Sequence, residues 1–204
     1  MSAQVLSVSL PSEIIYVSGT VNGTAYTWTL IEGAWTATVE RAADDTYAVA
    51  LTAVTAAGVS TNYTLTLYYG LLSLITDRTR ADVANQTDKG FYNASDLNRV
   101  GAAVEYIAAR FTALGYACPV TVKKDWLTSD TPTQRQLETY RQNIVTLGGQ
   151  IAVMQSTPEA PASMAGLNYV KANNIEQILL DLDALIDKLI KSWHFSGELY
   201  AGEV

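Results

Sequence analysis

Cysteine and histidine are nearly absent from this 204-residue chain, which holds one of each, Cys118 and His194. A single cysteine forms no disulfide within the chain, so we expect no bridge to stabilise the fold. One histidine leaves no choice of base for a Ser/His/Asp set and no ligands for a Cys/His zinc cluster. We therefore predict no catalytic residues, no metal site and no cofactor, and we predict that the protein is not an enzyme.

Basic residues and uninterrupted apolar runs are also scarce. The 13 Lys and Arg residues against 20 Asp and Glu residues give a net charge of −7, which argues against a nucleic-acid partner. The longest apolar helical stretch is interrupted by Asp181, Asp183 and Asp187, so we expect no membrane insertion. We interpret these carboxylates as an ordinary solvated helix face, with an acid/base pair or metal site as the alternative. The first residues also lack the features of a signal peptide.

Short alternating runs separated by turn residues fill residues 1–70. The prevailing residue types there, Thr, Ser, Val, Tyr and Trp, suit a pleated surface. In the third run we expect Tyr26, Trp28 and Leu30 on one face. Six or seven strands at this spacing predict an antiparallel sandwich. The runs are Val5–Leu10, Glu13–Val17, Ala25–Ile31, 34–40, 46–54 and 59–69.

Residues 71–204 change to a helical period. The first long helix is predicted from an N-cap at Asn93 to Gly115, which suits a C-terminal cap. Further helices are predicted from the Thr131 cap to Met154, from about Gly166 to Lys191, and as a short piece over Arg78–Gln86. The predicted fold class is therefore α+β in two separate domains. Residues 1–70 form an all-β sandwich, and residues 71–204 form a bundle of three to four helices with a C-terminal aromatic tail.

The first half contains the strings WTATV at 35–39, DTYAVALTA at 45–53 and AAG at 56–58. Together they resemble the Ig-like repeats of bacteria and phages over about residues 10–69. The resemblance implies an Ig-like β-sandwich for the first domain.

The second half contains the string FYNASDLNRV at 91–100, followed by AVEY at 103–106. These strings resemble a segment of small structural proteins that are encoded in the tail-gene regions of phages and prophages of Gram-positive bacteria, and they are the most specific part of the resemblance. The strings at 125–126, 130–133, 167–169, 172–176 and 193–203 fit the same pattern. The resemblance implies a virion structural protein of the tail, baseplate or fibre that is assembled in the host bacterial cytoplasm. Its partners would be other virion proteins.

An alternative function is a carbohydrate-binding or host-adhesion module, on the virion or on a bacterial surface, that contacts a host cell-surface glycan. Trp28 and Trp35 are the candidate stacking residues. Their alternative role is to fill the core of a small sandwich, because such a domain needs large apolar side chains.

Two further hypotheses concern contacts between side chains and between copies of the chain. Arg99 and Glu176, on different predicted helices, are candidates for a bidentate pair that sets the register of the bundle. The last helix is apolar over a wide band, and an aromatic tail follows it. We predict a homo-oligomer with that helix and the tail at the interface; the alternative is that the tail folds back over its own bundle. The candidate interface residues are Trp193, Phe195, Leu199 and Tyr200.

Overall fold

The computed structural model describes residues 3–43, 46–69 and 74–196. Within them, antiparallel strands come first and helices follow, which confirms the mixed α and β composition. Seven strands are described, in the regions where the alternating runs predict them. They are β1 (Ala3–Val8), β2 (Ile14–Val21), β3 (Thr24–Thr27), β4 (Thr29–Ile31), β5 (Ala34–Glu40), β6 (Thr46–Thr55) and β7 (Ser60–Tyr68).

The strands form two antiparallel sheets with an apolar core. One sheet has the order β1-β5-β4 and the other the order β3-β2-β6-β7. Alternation along β6 places Tyr47, Val49 and Leu51 inside, each at most 2% exposed. The same alternation along β1 buries Leu6 and Val8 completely. Apolar side chains from both sheets thus share one buried cluster.

The predicted strand over Ala25–Ile31 is two strands. The first, β3, pairs with β2, and the second, β4, pairs with β5, so the chain changes sheets at Trp28. Trp28 is buried, but Leu30 is 53% exposed, and the prediction of one shared face is wrong for it. Alternation keeps side chains on one face only while the strand stays in one sheet.

Two-residue turns close the hairpins on either side of this change. Glu32 and Gly33 have φ values of 50° and 84°, and they connect β4 to β5. Asn22 and Gly23 have φ values of 48° and 81°, and they connect β2 to β3. Positive φ at both central positions is the requirement of a type I′ turn, for which Asn-Gly is a preferred sequence.

The described helices are α1 (Arg80–Ala84), α2 (Ala94–Ala113), α3 (Gln134–Gly148) and α4 (Tyr169–Ser196), with a 3₁₀ turn at Asp88–Gly90. Asn93 caps α2 as predicted: its Oδ1 accepts from Ser95 N at 2.8 Å, and Asp96 accepts from Asn93 N at 2.8 Å. Gly115, with φ of 87°, follows the other end of α2. There the amide of Tyr116 donates to Phe111 O at 3.0 Å, which is the bond of a glycine C-cap.

The second and third predicted long helices differ from the structure at their ends. The helix predicted from Thr131 to Met154 begins at Gln134 and ends at Gly148, the first of two consecutive glycines. Glycine is about 1 kcal/mol less favourable than alanine inside a helix, so the apolar period beyond Gly148 does not extend it. The last helix begins at Tyr169 rather than Gly166, because Asn168 caps it by accepting from Lys171 N at 3.0 Å.

Contacts divide the described residues into two compact units. The first comprises the described residues of Met1–Ser73, Phe91–Ala103 and Val122–Thr133. The second comprises those of Leu74–Gly90, Val104–Thr121 and Gln134–Val204. Parts of the predicted helical domain therefore belong to the same unit as the sheets, and the domain division at residue 70 stays a prediction, as does the Ig-like identity of the sandwich.

Candidate functional site

The two tryptophans considered for glycan stacking are buried. Trp28 is 5% exposed and Trp35 is 7% exposed, and both belong to the apolar core of the sheets. A stacking platform needs an exposed aromatic face, which neither side chain offers. The structure therefore places both where the alternative interpretation puts them, in the core.

A buried ion pair lies at the start of α2 in the first unit. Arg99 Nη2 lies 2.5 Å from Asp96 Oδ1, and the two residues are 4% and 3% exposed. The guanidinium also lies 6.0 Å from the ring centroid of Tyr68. Because Asp96 also accepts from the amide of Asn93, one carboxylate caps the helix and neutralises a buried cation.

Asn98 connects α2 to two other segments of the same unit. It is fully buried, and its amide nitrogen donates to Thr66 O at 2.9 Å and to Trp126 O at 3.0 Å. Its Oδ1 accepts from Trp126 N at 2.6 Å. Thr66 belongs to β7, so this side chain satisfies backbone groups of a strand and of the 122–133 segment together.

A second polar cluster lies on α4 in the second unit. Glu176 is fully buried and accepts from Ile75 N at 2.6 Å and from Arg78 Nη2 at 2.7 Å. Asn173, one turn earlier, accepts from Arg78 N at 3.1 Å and donates to Arg78 O at 2.9 Å. Two side chains at helical spacing thus hold residues 75–78 against α4.

The predicted pair of Arg99 and Glu176 stays a prediction. Arg99 belongs to the first unit and Glu176 to the second, and within these units they bond to Asp96 and Arg78. The sequence predicts Arg78 only as the start of a short helix. The sequence contains a sign that Glu176 has a cationic partner, because it lies among the apolar positions of the last helix and a buried carboxylate needs a cation beside it.

Two of the three aspartates of α4 bind Arg110, and the third, Asp181, accepts from Gln177 Nε2 at 2.8 Å. Arg110 contacts the carboxylate of Asp183, and its Nη2 lies 2.5 Å from Asp187 Oδ1. The hydrogen bond from Arg110 lowers the pKa of Asp187 below its ordinary value. Burial acts to lower the pKa of Arg110, but the hydrogen bonds to Asp187 and Asp183 outweigh it and the pKa is raised. A lowered carboxyl pKa is the opposite of what a general acid needs.

A groove of about 550 Å³ lies on the outer side of the four-stranded sheet in the first unit. Its lining combines small residues with hydroxyl groups, and none of the lining residues is aromatic or titratable at neutral pH. Such a lining offers hydrogen bonds but no acid, base or nucleophile of perturbed pKa. The hydroxyl and methyl groups come mainly from Thr20, Ala48, Ala50, Thr64, Thr66 and Ser95.

The predicted oligomer interface lies largely outside the described residues. Leu199 and Tyr200 fall outside them, and so do the side chains of Trp193 and Phe195, whose backbone belongs to α4. On the described part of α4, Val170 is 47% exposed and Ile190 is 43% exposed. The interface stays a prediction.

No family model, curated protein or solved structure matches this chain. Over residues 3–43, 46–69 and 74–196, no cluster of three or more His, Cys, Asp or Glu side chains has the arrangement of a metal site. In the same ranges, no helix combines the length and apolar character needed to cross a membrane.

Proposed function

We propose that this chain is a structural component of a bacteriophage virion, located in the tail, the baseplate or a fibre. In this proposal the helical part attaches to the particle, and the Ig-like sandwich is displayed or bridges neighbouring proteins. The basis is the resemblance of the strings at 91–106 and 172–176 to tail-region proteins, together with the bonds that these residues form.

The supporting observation is that polar side chains in these strings bond to backbone or to each other. Asn93 and Asp96 cap α2, Asn98 satisfies three backbone groups, and Asn173 and Glu176 hold a neighbouring segment. A buried polar group is costly unless it is fully bonded, and once bonded it fixes one arrangement of its elements. That use of polar residues suits a rigid assembly part.

The burial of Trp28 and Trp35 counts against the glycan-binding alternative, because stacking on a sugar needs an exposed aromatic face. We therefore propose no host glycan as a partner. The proposed partners are other virion proteins and further copies of this chain.

Mass spectrometry of purified particles tests the proposed location. Peptides of this chain are expected in density-gradient particles at a constant ratio to a major tail protein. The control is an abundant host cytoplasmic protein, whose ratio to the tail protein should fall at each purification step. Loss of this chain in parallel with the host protein would contradict the proposal.

Light scattering of the purified chain tests the predicted interface at α4 and the tail. We expect particles of two or more copies of the 22.0 kDa chain, and fewer copies per particle after deletion of residues 193–204. A single copy per particle for both the full chain and the shortened variant would contradict the homo-oligomer.

A further inference from the structure

The four edge strands of the two sheets differ in how their free backbone groups are protected. An edge strand presents unpaired N–H and C=O groups that can pair with another chain, unless it is short, charged, kinked or covered. Strands β3 and β4 are short, with four and three residues. Strand β7 is covered: Thr128 N donates to Thr64 O at 3.4 Å, and Asn98 donates to Thr66 O at 2.9 Å.

Strand β1 has none of these protections. Its six residues pair with β5 in an unbroken register from Ala3 opposite Glu40 to Val8 opposite Trp35. The strand, AQVLSV, contains no charged residue and no proline. Within the described residues, its backbone makes one hydrogen bond beyond β5, from the side-chain amide of Gln4 to Val5 O at 2.9 Å.

The outward side of β1 is open to solvent as well. Ala3, Val5 and Ser7 alternate with the inward residues and are exposed, Val5 by 54%. The inward Leu6 and Val8 are fully buried, so the strand is anchored in its own sheet. A second strand would therefore pair with an edge that is already ordered, so little conformational entropy of β1 is lost in the pairing.

We propose that β1 pairs antiparallel with β1 of a second copy of this chain, across a two-fold axis near Val5. Two three-stranded sheets would then join into one sheet of six strands. An isologous contact uses the same patch twice, so the strand must be complementary to itself. Antiparallel pairing meets this condition, because each free N–H faces a C=O of the identical strand.

Charge explains why a second copy fits this edge. Each chain carries a net charge of −7, so two copies repel unless they meet at an uncharged surface. Carboxylates lie at both ends of the strand: Glu40 is paired with Ala3 at one end, and Asp125 accepts from Ser9 N at 2.6 Å just beyond Val8 and is itself paired with Lys123. Antiparallel pairing about Val5 places the two copies of Ala3 about 13 Å apart along the strands, which exceeds the screening length of about 8 Å at physiological salt.

This interface is separate from the one predicted at α4 and the tail, and it does not depend on a location in the virion. The first test is the substitution Val5→Lys in the full chain, since an outward lysine is a usual protection of an edge strand. The matched control is Thr38→Lys, which adds the same charge to the same face, directly opposite Val5 but on the inner strand β5.

Light scattering at micromolar concentration measures the effect. We expect Val5→Lys to halve the mean mass relative to wild type, and we expect Thr38→Lys to leave it unchanged. An unchanged mass for Val5→Lys would overturn the proposal. An equal loss of mass in both variants would also overturn the proposal, since the added charge would then act through the outward face of the sheet and not through the edge strand β1.

Cross-linking provides a second measurement that does not require a stable complex. Directly opposite residues in an antiparallel pair have Cα atoms about 4.5 to 5.5 Å apart, which lies within disulfide range. In a Cys118→Ser background, Val5→Cys should form a disulfide-linked dimer under mild oxidation much faster than Thr38→Cys. Equal rates for the two variants would reject β1 as the contact.

Discussion

Substitution of Glu176 tests the energetic importance of the polar cluster on α4. Glu176→Ala removes the acceptor of Ile75 N and the carboxylate to which Arg78 Nη2 donates, and the side chain of Arg78 is only 1% exposed. Breaking a buried ion pair by removing one partner costs about 3 to 5 kcal/mol. Because a whole domain is stable by only about 5 to 15 kcal/mol, this loss is a large fraction of the total.

The conservative variant separates charge from hydrogen bonding. Glu176→Gln retains an amide oxygen that can accept from Ile75 N but removes the charge that neutralises Arg78. We expect it to cost less, about 2 kcal/mol, since a hydrogen bond to a charged group is worth about 1.5 to 3 kcal/mol. The matched control is Glu138→Ala, which breaks an exposed pair with Arg141 on α3. Exposed ion pairs contribute little to stability, so the control should have a free energy of unfolding close to that of wild type.

Urea unfolding followed by circular dichroism at the helical band measures these differences. Tryptophan fluorescence adds a probe that reports mainly on the first unit, because Trp28, Trp35 and Trp126 belong to it and one tryptophan, Trp193, belongs to the second. Two separate transitions would require the free energy of each unit to be fitted by itself. A cost of Glu176→Ala no larger than that of Glu138→Ala would refute the reasoning, since it would show that the buried pair does not stabilise the second unit.

The same variant tests the predicted pair of Arg99 and Glu176. A double-mutant cycle with Arg99→Ala and Glu176→Ala measures the coupling directly, and we expect at least about 0.5 kcal/mol. Additive costs would remove that prediction and leave the pair of Arg78 and Glu176 untouched.

Three further predictions concern single positions. Asn98→Ala should lower the free energy of unfolding of the first unit by about 2 to 4 kcal/mol in a urea titration, because it leaves several buried backbone groups without a partner; a cost below about 1 kcal/mol would contradict this. Gly115→Ala, at φ of 87°, should lower the free energy of unfolding by about 1 kcal/mol, because alanine does not favour this backbone conformation. Gly148→Ala lies in a helix with open space around it and should leave the free energy of unfolding unchanged or raise it. Equal effects of the two variants would contradict the C-cap assignment. Asp187→Asn should lower the thermal midpoint at neutral pH, because the pKa of Asp187 is depressed below 3.8 by Arg110. The difference in thermal midpoint between this variant and wild type should vanish as the pH falls through the depressed pKa of Asp187. A difference in thermal midpoint that stays constant in acid would refute the stabilising role of this ion pair.

Much of the secondary structure was predictable from short segments of sequence. Alternation places strands β5, β6 and β7 within one or two residues of their observed bounds, since the pleat repeats every two residues. Both ends of α2 follow from local bonds, the Asn93 cap and the Gly115 C-cap, which involve residues within one turn of the helix. Where the local signals conflict, as at Gly148, the apolar period alone extends the helix too far.

The sequence by itself therefore determined the α and β composition, the positions of β5, β6 and β7, and both caps of α2, because these depend on neighbours along the chain. Only the tertiary structure decided where the chain changes sheets at Trp28, that Asn98 covers the edge of β7, and that Glu176 has Arg78 as a partner 98 residues away. Those outcomes depend on which distant groups packing brings within bonding distance. A carboxylate at a buried position of a helix predicts a cationic partner, but the sequence offers several arginines that could pair with it. The packing of the helices and of the segments between them determines which arginine does so.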